Sequence, residues 1–228
     1  MVIPIFICNF ASRNKKKIKK KGNIMIEKEK VEKFLQENKS LIDSIKDEAF
    51  RLHDVECNQK YGDGLPYSYH LGMVAEYATK WMWMVCGDES HILPIIFGAF
   101  FHDSIEDARM TYNDILRLAK TFMDSRRALI ATEIVYALTD EKGRNRAERG
   151  SDKHYEDIRN TLYAPFVKFC DRFANAKFSI DSDSRMLTTY KAEMPLFIEK
   201  IGGSKYVPQE LIDEILNIGA EYEQTEEQ

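Results

Sequence analysis

Ile95-Ile96-Phe97-Gly98-Ala99-Phe100-Phe101-His102-Asp103-Ser104-Ile105-Glu106-Asp107 is the stretch on which the reading of this chain turns. An unbroken apolar run ends in His-Asp, and two more acids follow within a turn. A helix that stays apolar to its last turn and then presents an imidazole and a carboxylate puts metal- or proton-handling groups at the edge of a core. His102 and Glu106 are four apart, as are Asp103 and Asp107, so each pair shares a face if the helix continues. An imidazole and a carboxylate can hold a divalent metal. A carboxylate pair one turn on can take up the proton of a nearby water. The plain alternative is a helix end with a polar cap.

Working outward, the pattern is helical nearly throughout from Met25. Residues 27–37 form a charged amphipathic stretch. Ser40-Leu41-Ile42-Asp43 resembles a capping box that opens a helix with Leu41, Ile42, Ile45, Ala49 and Leu52 at helical spacing. Residues 58–66 read as loop, with Gly62 and Gly64 as breakers. A long helix is expected over 67–85, closed by Gly87-Asp88, and the apolar helix follows. Thr111 caps the next, with Ile115, Leu116, Leu118 and Phe122 inside, and 124–138 repeats the pattern. Residues 139–153 are the one long polar break, long enough for a functional role. Helices resume over 155–160, 164–178, 184–201 and 208–222, with Pro165 suited to a first turn. No alternating strand pattern competes and no repeat is visible. The expectation is an all-α fold of eight to ten helices around a cleft.

At 228 residues and 44% hydrophobic content, one domain over 25–228 is expected. No segment approaches the ~20 apolar residues of a membrane span. Cys8, Cys57, Cys86 and Cys170 are scattered and read as reduced thiols of a cytoplasmic protein. A pI of 5.8 argues against general nucleic-acid binding. Residues 1–24 hold seven Lys/Arg and no acid, leaving 26 basic against 37 acidic side chains in the remainder. This head could be a basic arm or a targeting peptide. The favoured expectation is a disordered head or one lying upstream of a native start at Met25, since Lys-Lys-Gly-Asn-Ile-Met is what a translated ribosome-binding site would look like.

Three polar positions interrupt apolar helices: His70, His102-Asp103, and Asp171 after Ala164-Pro165-Phe166-Val167-Lys168-Phe169-Cys170. Each has a bland explanation alone. His70 could be satisfied by a backbone carbonyl, and Asp171 by Arg172 or Lys168. Together they make two imidazoles and two carboxylates, a set suited to Mn²⁺, Fe²⁺ or Zn²⁺. His53, His91 and His154 lack such a setting and are expected to stand apart.

In order and context, His70, His102-Asp103 and Asp171 resemble the H…HD…D signature of the HD-domain metal-dependent phosphohydrolases, which implies an HD-type helical bundle. The finer resemblance is to the (p)ppGpp hydrolase domain of RelA/SpoT enzymes and its stand-alone small relatives. Lys60-Tyr61-Gly62-Asp63-Gly64-Leu65-Pro66-Tyr67-Ser68-Tyr69-His70 is similar to that family's approach to its first histidine. His102-Asp103-Ser104-Ile105-Glu106-Asp107 resembles its HDxxED motif. Leu138-Thr139-Asp140-Glu141-Lys142 resembles its Thr-Asp-x-Lys corner, and Val167–Asn175 its V-K-x-x-D-x-x-x-N segment. The resemblance spans about residues 40–200. Gln59 departs from it, standing where the family often has Arg.

The resemblance implies a manganese-dependent hydrolase that removes the 3′-pyrophosphate of a guanosine tetra- or pentaphosphate. His70, His102, Asp103 and Asp171 would be ligands, and Glu106 and Asp107 would orient and deprotonate the attacking water. Lys60 and Lys142 match family positions near the phosphates, and Asn175 a substrate contact. Arg185 and Tyr190 resemble a late pair bordering the base. Arg144, Arg146, Arg149 and Lys168 are further cations for a polyanion. Two other readings stay open: an HD phosphohydrolase acting on another nucleotide, and a nucleotide-binding or antitoxin-like module with little turnover.

Overall fold

The apolar stretch folds as a helix buried on every side, the only stable placement for a helix with no polar face. In this computed structural model, which describes residues 25–140, 148 and 150–226, the fold is all-α. Among the described residues the helices are α1 (Lys28–Glu37), α2 (Lys39–Phe50), α3 (Ser68–Trp81), α4 (Ile92–Phe101), α5 (Tyr112–Phe122), α6 (Ser125–Leu138), α7 (Asp152–Asn160), α8 (Ala164–Asp181), α9 (Met186–Phe197) and α10 (Gln209–Glu226). The apolar helix is α4, and α2, α3, α6 and α8 pack around it. No helix among the described residues is long and apolar enough to cross a membrane. The basic stretch 1–24 lies outside the described residues.

Local chemistry explains several helix starts. Thr111 and Asp114 exchange side-chain and backbone hydrogen bonds in a capping box at α5. The Asp124 carboxylate accepts from the Arg126 and Arg127 amides at α6, and Ser151 caps α7. Pro165 sits in the first turn of α8, as expected. The capping box expected at Ser40 does not form. Helix α2 begins two residues earlier, at Lys39 with Asn38 as its N-cap, so Ser40 lies inside the helix and the Asp43 carboxylate pairs with Lys39 and Lys46 instead. Helix α3 stops at Trp81, short of the expected 85, and the chain tightens into a 3₁₀ turn over Met82–Met84.

Two features of 51–66 carry no helical periodicity. A π-helical turn, Arg51–Glu56, continues directly from α2. A two-rung antiparallel hairpin then pairs Lys60 with Pro66 and Tyr61 with Leu65. Gly62 makes the reversal at φ 51°, and a Cβ there would lie 2.5 Å from the Phe178 ring. The hairpin therefore rests directly on α8.

The α4–α6 crossing is equally close. A Cβ on Gly98 would meet Ile134 Cγ2 at 2.6 Å. Both residues are in well-packed helices, so Gly98→Ala must push the helices apart. A loss of about 1–3 kcal/mol is expected, read as a lower urea midpoint. An unchanged midpoint would show that α6 yields freely at this contact.

Candidate metal centre

Three helices deliver four ligand-type side chains to one point. His70 lies in the first turn of α3, His102 and Asp103 directly follow α4, and Asp171 lies mid-way along α8. His70 Nε2 and His102 Nε2 are 3.3 Å apart. Asp103 Oδ2 is 2.9 Å from His102 Nε2 and 3.7 Å from His70 Nε2. Asp171 Oδ1 is 3.4 Å from His70 Nε2 and 3.7 Å from His102 Nε2. The ligand atoms of His70, His102 and Asp103 fall within 4.8 Å of one another, and Asp171 closes the set. Bonds of roughly 2.0–2.3 Å to one ion put neighbouring ligand atoms about 3 Å apart, so this spacing fits a single cation.

The hydrogen bonding argues the same way. His102 Nδ1 faces the Ala99 carbonyl at 2.9 Å and must donate to it. In the neutral ring Nε2 is then a lone pair, aimed at two carboxylates. That arrangement is repulsive unless a proton or a metal cation sits between them. Without a cation the proton stays: burial pulls the His102 pKa down, but Asp103 and Asp171 outweigh it and push it up to about 10. The carboxylates mirror this. Burial raises both, yet His102 holds Asp103 below the usual carboxylate range, and Lys168 with the imidazoles holds Asp171 well below it. His70 Nδ1 is buried with no hydrogen-bond partner.

Each carboxylate is itself held. Tyr67 OH donates to Asp103 Oδ2 at 2.5 Å. Asn175 Nδ2 donates to Asp171 Oδ1 at 2.6 Å, and Tyr61 OH donates in turn to Asn175 Oδ1 at 2.9 Å. Lys168 Nζ lies 3.1 Å from Asp171 Oδ2. Such partners fix ligand direction, and their loss typically costs 10–100-fold in metal affinity or activity. The Tyr61 ring also stacks on His70, centroids 4.8 Å apart, and packs tilted against Phe178 at 4.5 Å. The hairpin thus packs against the first of the four ligand-type residues.

Glu106 and Asp107 do not continue α4. The chain leaves the helix at Phe101 in successive turns: the Ser104 amide bonds the Phe101 carbonyl, and the Asp107 amide bonds the Asp103 carbonyl at 2.8 Å. Both acids still line the cleft of about 560 Å³ that holds His70, Asp103 and Asp171. Burial raises the Glu106 pKa, and Asp140, Asp103 and Asp107 add to it. A carboxyl raised in this way is suited to exchanging a proton nearer neutrality.

The substrate residues expected from sequence divide. Asn175 and Tyr190 line the cleft, although the Asn175 amide is already committed to Asp171 and Tyr61. Lys60 and Arg185 are exposed and do not line it. Lys142, Arg144, Arg146 and Arg149 lie outside the described residues, but Asp140 and Gly150, which bound that stretch, are both on the cleft wall. Of the histidines expected to stand apart, only His91 does, bonded to Tyr163 OH at 2.9 Å. His154 lines the cleft with Nε2 3.5 Å from Asp140 Oδ1. His53 is fully buried, its Nε2 3.2 Å from Ser104 Oγ. His53 could have been found: it lies four residues after the buried Ala49, in the π-helical turn that continues α2.

Comparison with known proteins finds no matching family model, curated protein or solved structure.

Proposed function

We propose that this chain is a metal-dependent phosphohydrolase acting on a phosphorylated nucleotide, of the guanosine 3′,5′-bis(diphosphate) class, with release of the 3′-pyrophosphate. The observation that carries the reading is the placement of Glu106 and Asp107 on the same cleft as the His70, His102, Asp103 and Asp171 cluster. A pure binding module needs the cluster but has no use for proton-handling acids beside it.

Charge supports a bridging cation. The described cleft walls carry Asp103, Glu106, Asp107, Asp140, Asp171 and Glu193 against only two permanent cations. Those two are paired, Lys168 with Asp171 and Arg172 with Glu193 at 2.7 Å. A polyphosphate is repelled from such a wall unless positive charge is brought in. His70, His102, Asp103 and Asp171 would hold a divalent ion, Mn²⁺ first, with Fe²⁺ or Zn²⁺ as alternatives. When bound, it supplies the Lewis acid that acidifies a nearby water and neutralises phosphate oxygens.

The chain's own residues do the rest. Glu106 receives the proton of the attacking water. Asp107 accepts a second hydrogen bond from that water and sets its direction. Tyr67 and Asn175 keep Asp103 and Asp171 pointed inward. Lys142, Arg144, Arg146 and Arg149 fall in sequence between Asp140 and Gly150, which both line the cleft, and are the cations proposed for the phosphates. The finer choice of guanosine 3′-pyrophosphate over other nucleotides rests on the motif resemblance around His70, His102 and Asp171.

The test is incubation with Mn²⁺ and a nucleotide panel, with products resolved by ion exchange. Loss of the 3′-pyrophosphate from guanosine tetraphosphate is expected. Turnover of a different nucleotide would keep the hydrolase and change its substrate. No turnover of any member with Mn²⁺, Fe²⁺ or Zn²⁺ would leave the binding-module reading in its place.

A further inference from the structure

We propose that Gln59 is a positioning residue for Asp107, and that the buried His53 imidazole holds the Gln59 carboxamide in the one orientation that serves it. The inference builds on the hydrolytic reading, since Asp107 is placed there as an orienting acid. It concerns two residues that reading does not use.

The local fold prepares this arrangement. The π-helical turn Arg51–Glu56 closes with the Cys57 amide on the Leu52 carbonyl at 3.1 Å. A wide turn of this kind shifts the side chains after it relative to a continuing α-helix, and π turns are frequent at functional sites. Asn58 then adopts φ 47°, in the left-handed region that reverses the chain. The reversal folds Gln59 back over the turn, where its amide bonds the His53 carbonyl at 2.9 Å. His53 is fully buried and stacks on Tyr67, centroids 5.1 Å apart with the planes at 16°.

Donor and acceptor rules leave one consistent assignment. A carboxylate only accepts, so Gln59 must turn its Nε2–H toward Asp107 Oδ2, 2.7 Å away. Gln59 Oε1 is then the acceptor facing His53 Nδ1 at 2.6 Å, and Nδ1 must carry the hydrogen. In the neutral ring this leaves Nε2 to accept from Ser104 Oγ–H at 3.2 Å. Burial lowers the His53 pKa, in keeping with a neutral ring. The chain Ser104–His53–Gln59–Asp107 therefore braces the Asp103–Ala108 turn at both ends. It fixes one oxygen of Asp107 and leaves the other for the cleft.

A residue that only stabilised the loop would not split rate from binding, and would not be coupled to one acid. Gln59→Leu removes both side-chain hydrogen bonds and adds no charge. Its kcat is expected to fall about 10–100-fold, with KM within about twofold. In an Asp107→Asn background the same change should cost less than about twofold, because the group Gln59 positions is already altered. The second readout needs no activity: long-range ¹H–¹⁵N correlation of the His53 ring. Wild type should show hydrogen on Nδ1, and that signal should move in both Gln59→Leu and Asp107→Asn.

An Nε2–H ring in wild type overturns the proposal. So does a Gln59→Leu loss that is undiminished in the Asp107→Asn background, or a His53 signal blind to both changes. If wild type hydrolyses no nucleotide, the hydrolase reading falls while the ring signals still decide the brace.

Discussion

Glu106→Gln is expected to slow turnover by ~10²–10⁴ while the ion stays bound, the usual share of a positioned general base. Glu106 lies outside the four-residue cluster, and it accepts from the Asp140 amide at 3.4 Å. The amide variant therefore removes a proton acceptor and leaves His70, His102, Asp103 and Asp171 in place. The pH profile adds a second expectation. Burial and the neighbouring acids raise the Glu106 pKa, and a base works only when ionised. Wild-type activity should rise with pH through a limb above the ordinary glutamate value, and Glu106→Gln should lose that limb. Asp107→Asn should also slow turnover, with a smaller effect on the acid limb, because Asp107 is held by Gln59 to orient. Elemental analysis paired with rates at saturating nucleotide decides the roles. Metal lost together with activity would make these acids ligands; wild-type rates would make them bystanders.

Asp171→Asn is expected to empty the site. The substitution is nearly isosteric, and Asn175 can still bond the remaining side-chain oxygen. What disappears is the charge that a divalent ion needs, in a cluster where two of the four groups are neutral imidazoles when ligating. Metal content should drop to near zero and turnover with it. Stability supplies an independent check. An ion bound only by the folded state stabilises by about 2.7 kcal/mol at a hundredfold excess over its Kd. Added Mn²⁺ should raise the melting temperature of wild type and leave Asp171→Asn unmoved. A variant that keeps its full metal content would remove Asp171 from the ligand set.

The helices were legible because their signals are local. Thr111 with Asp114, Asp124 and Pro165 each act within one turn, and the apolar run of α4 left no choice but burial. The misjudged starts and stops have equally local causes. Asp43 had two lysines within reach, and they outcompeted the cap at Ser40. Phe101 ends α4 because the following residues close short turns on one another. The hairpin went unread because two rungs are too few to show alternation.

The sequence alone determined the helical class, the chain order of His70, His102, Asp103 and Asp171, and the nearness of Glu106 and Asp107 to two of them. Periodicity and adjacency are properties of the chain itself and survive without a fold. Only the tertiary structure decided which other groups reach the site. Tyr67 meets Asp103 across 36 residues, Gln59 meets Asp107 across 48, and Tyr61 meets Asn175 across 114. Contacts at such separations form when helices pack, and they leave no period to read. The same packing brought His53 and His154 inward, kept His91 away, and committed Asn175 to Asp171. A side chain's chemistry is written in its type, whereas its partner is chosen by whichever helix the burial of α4 draws against it.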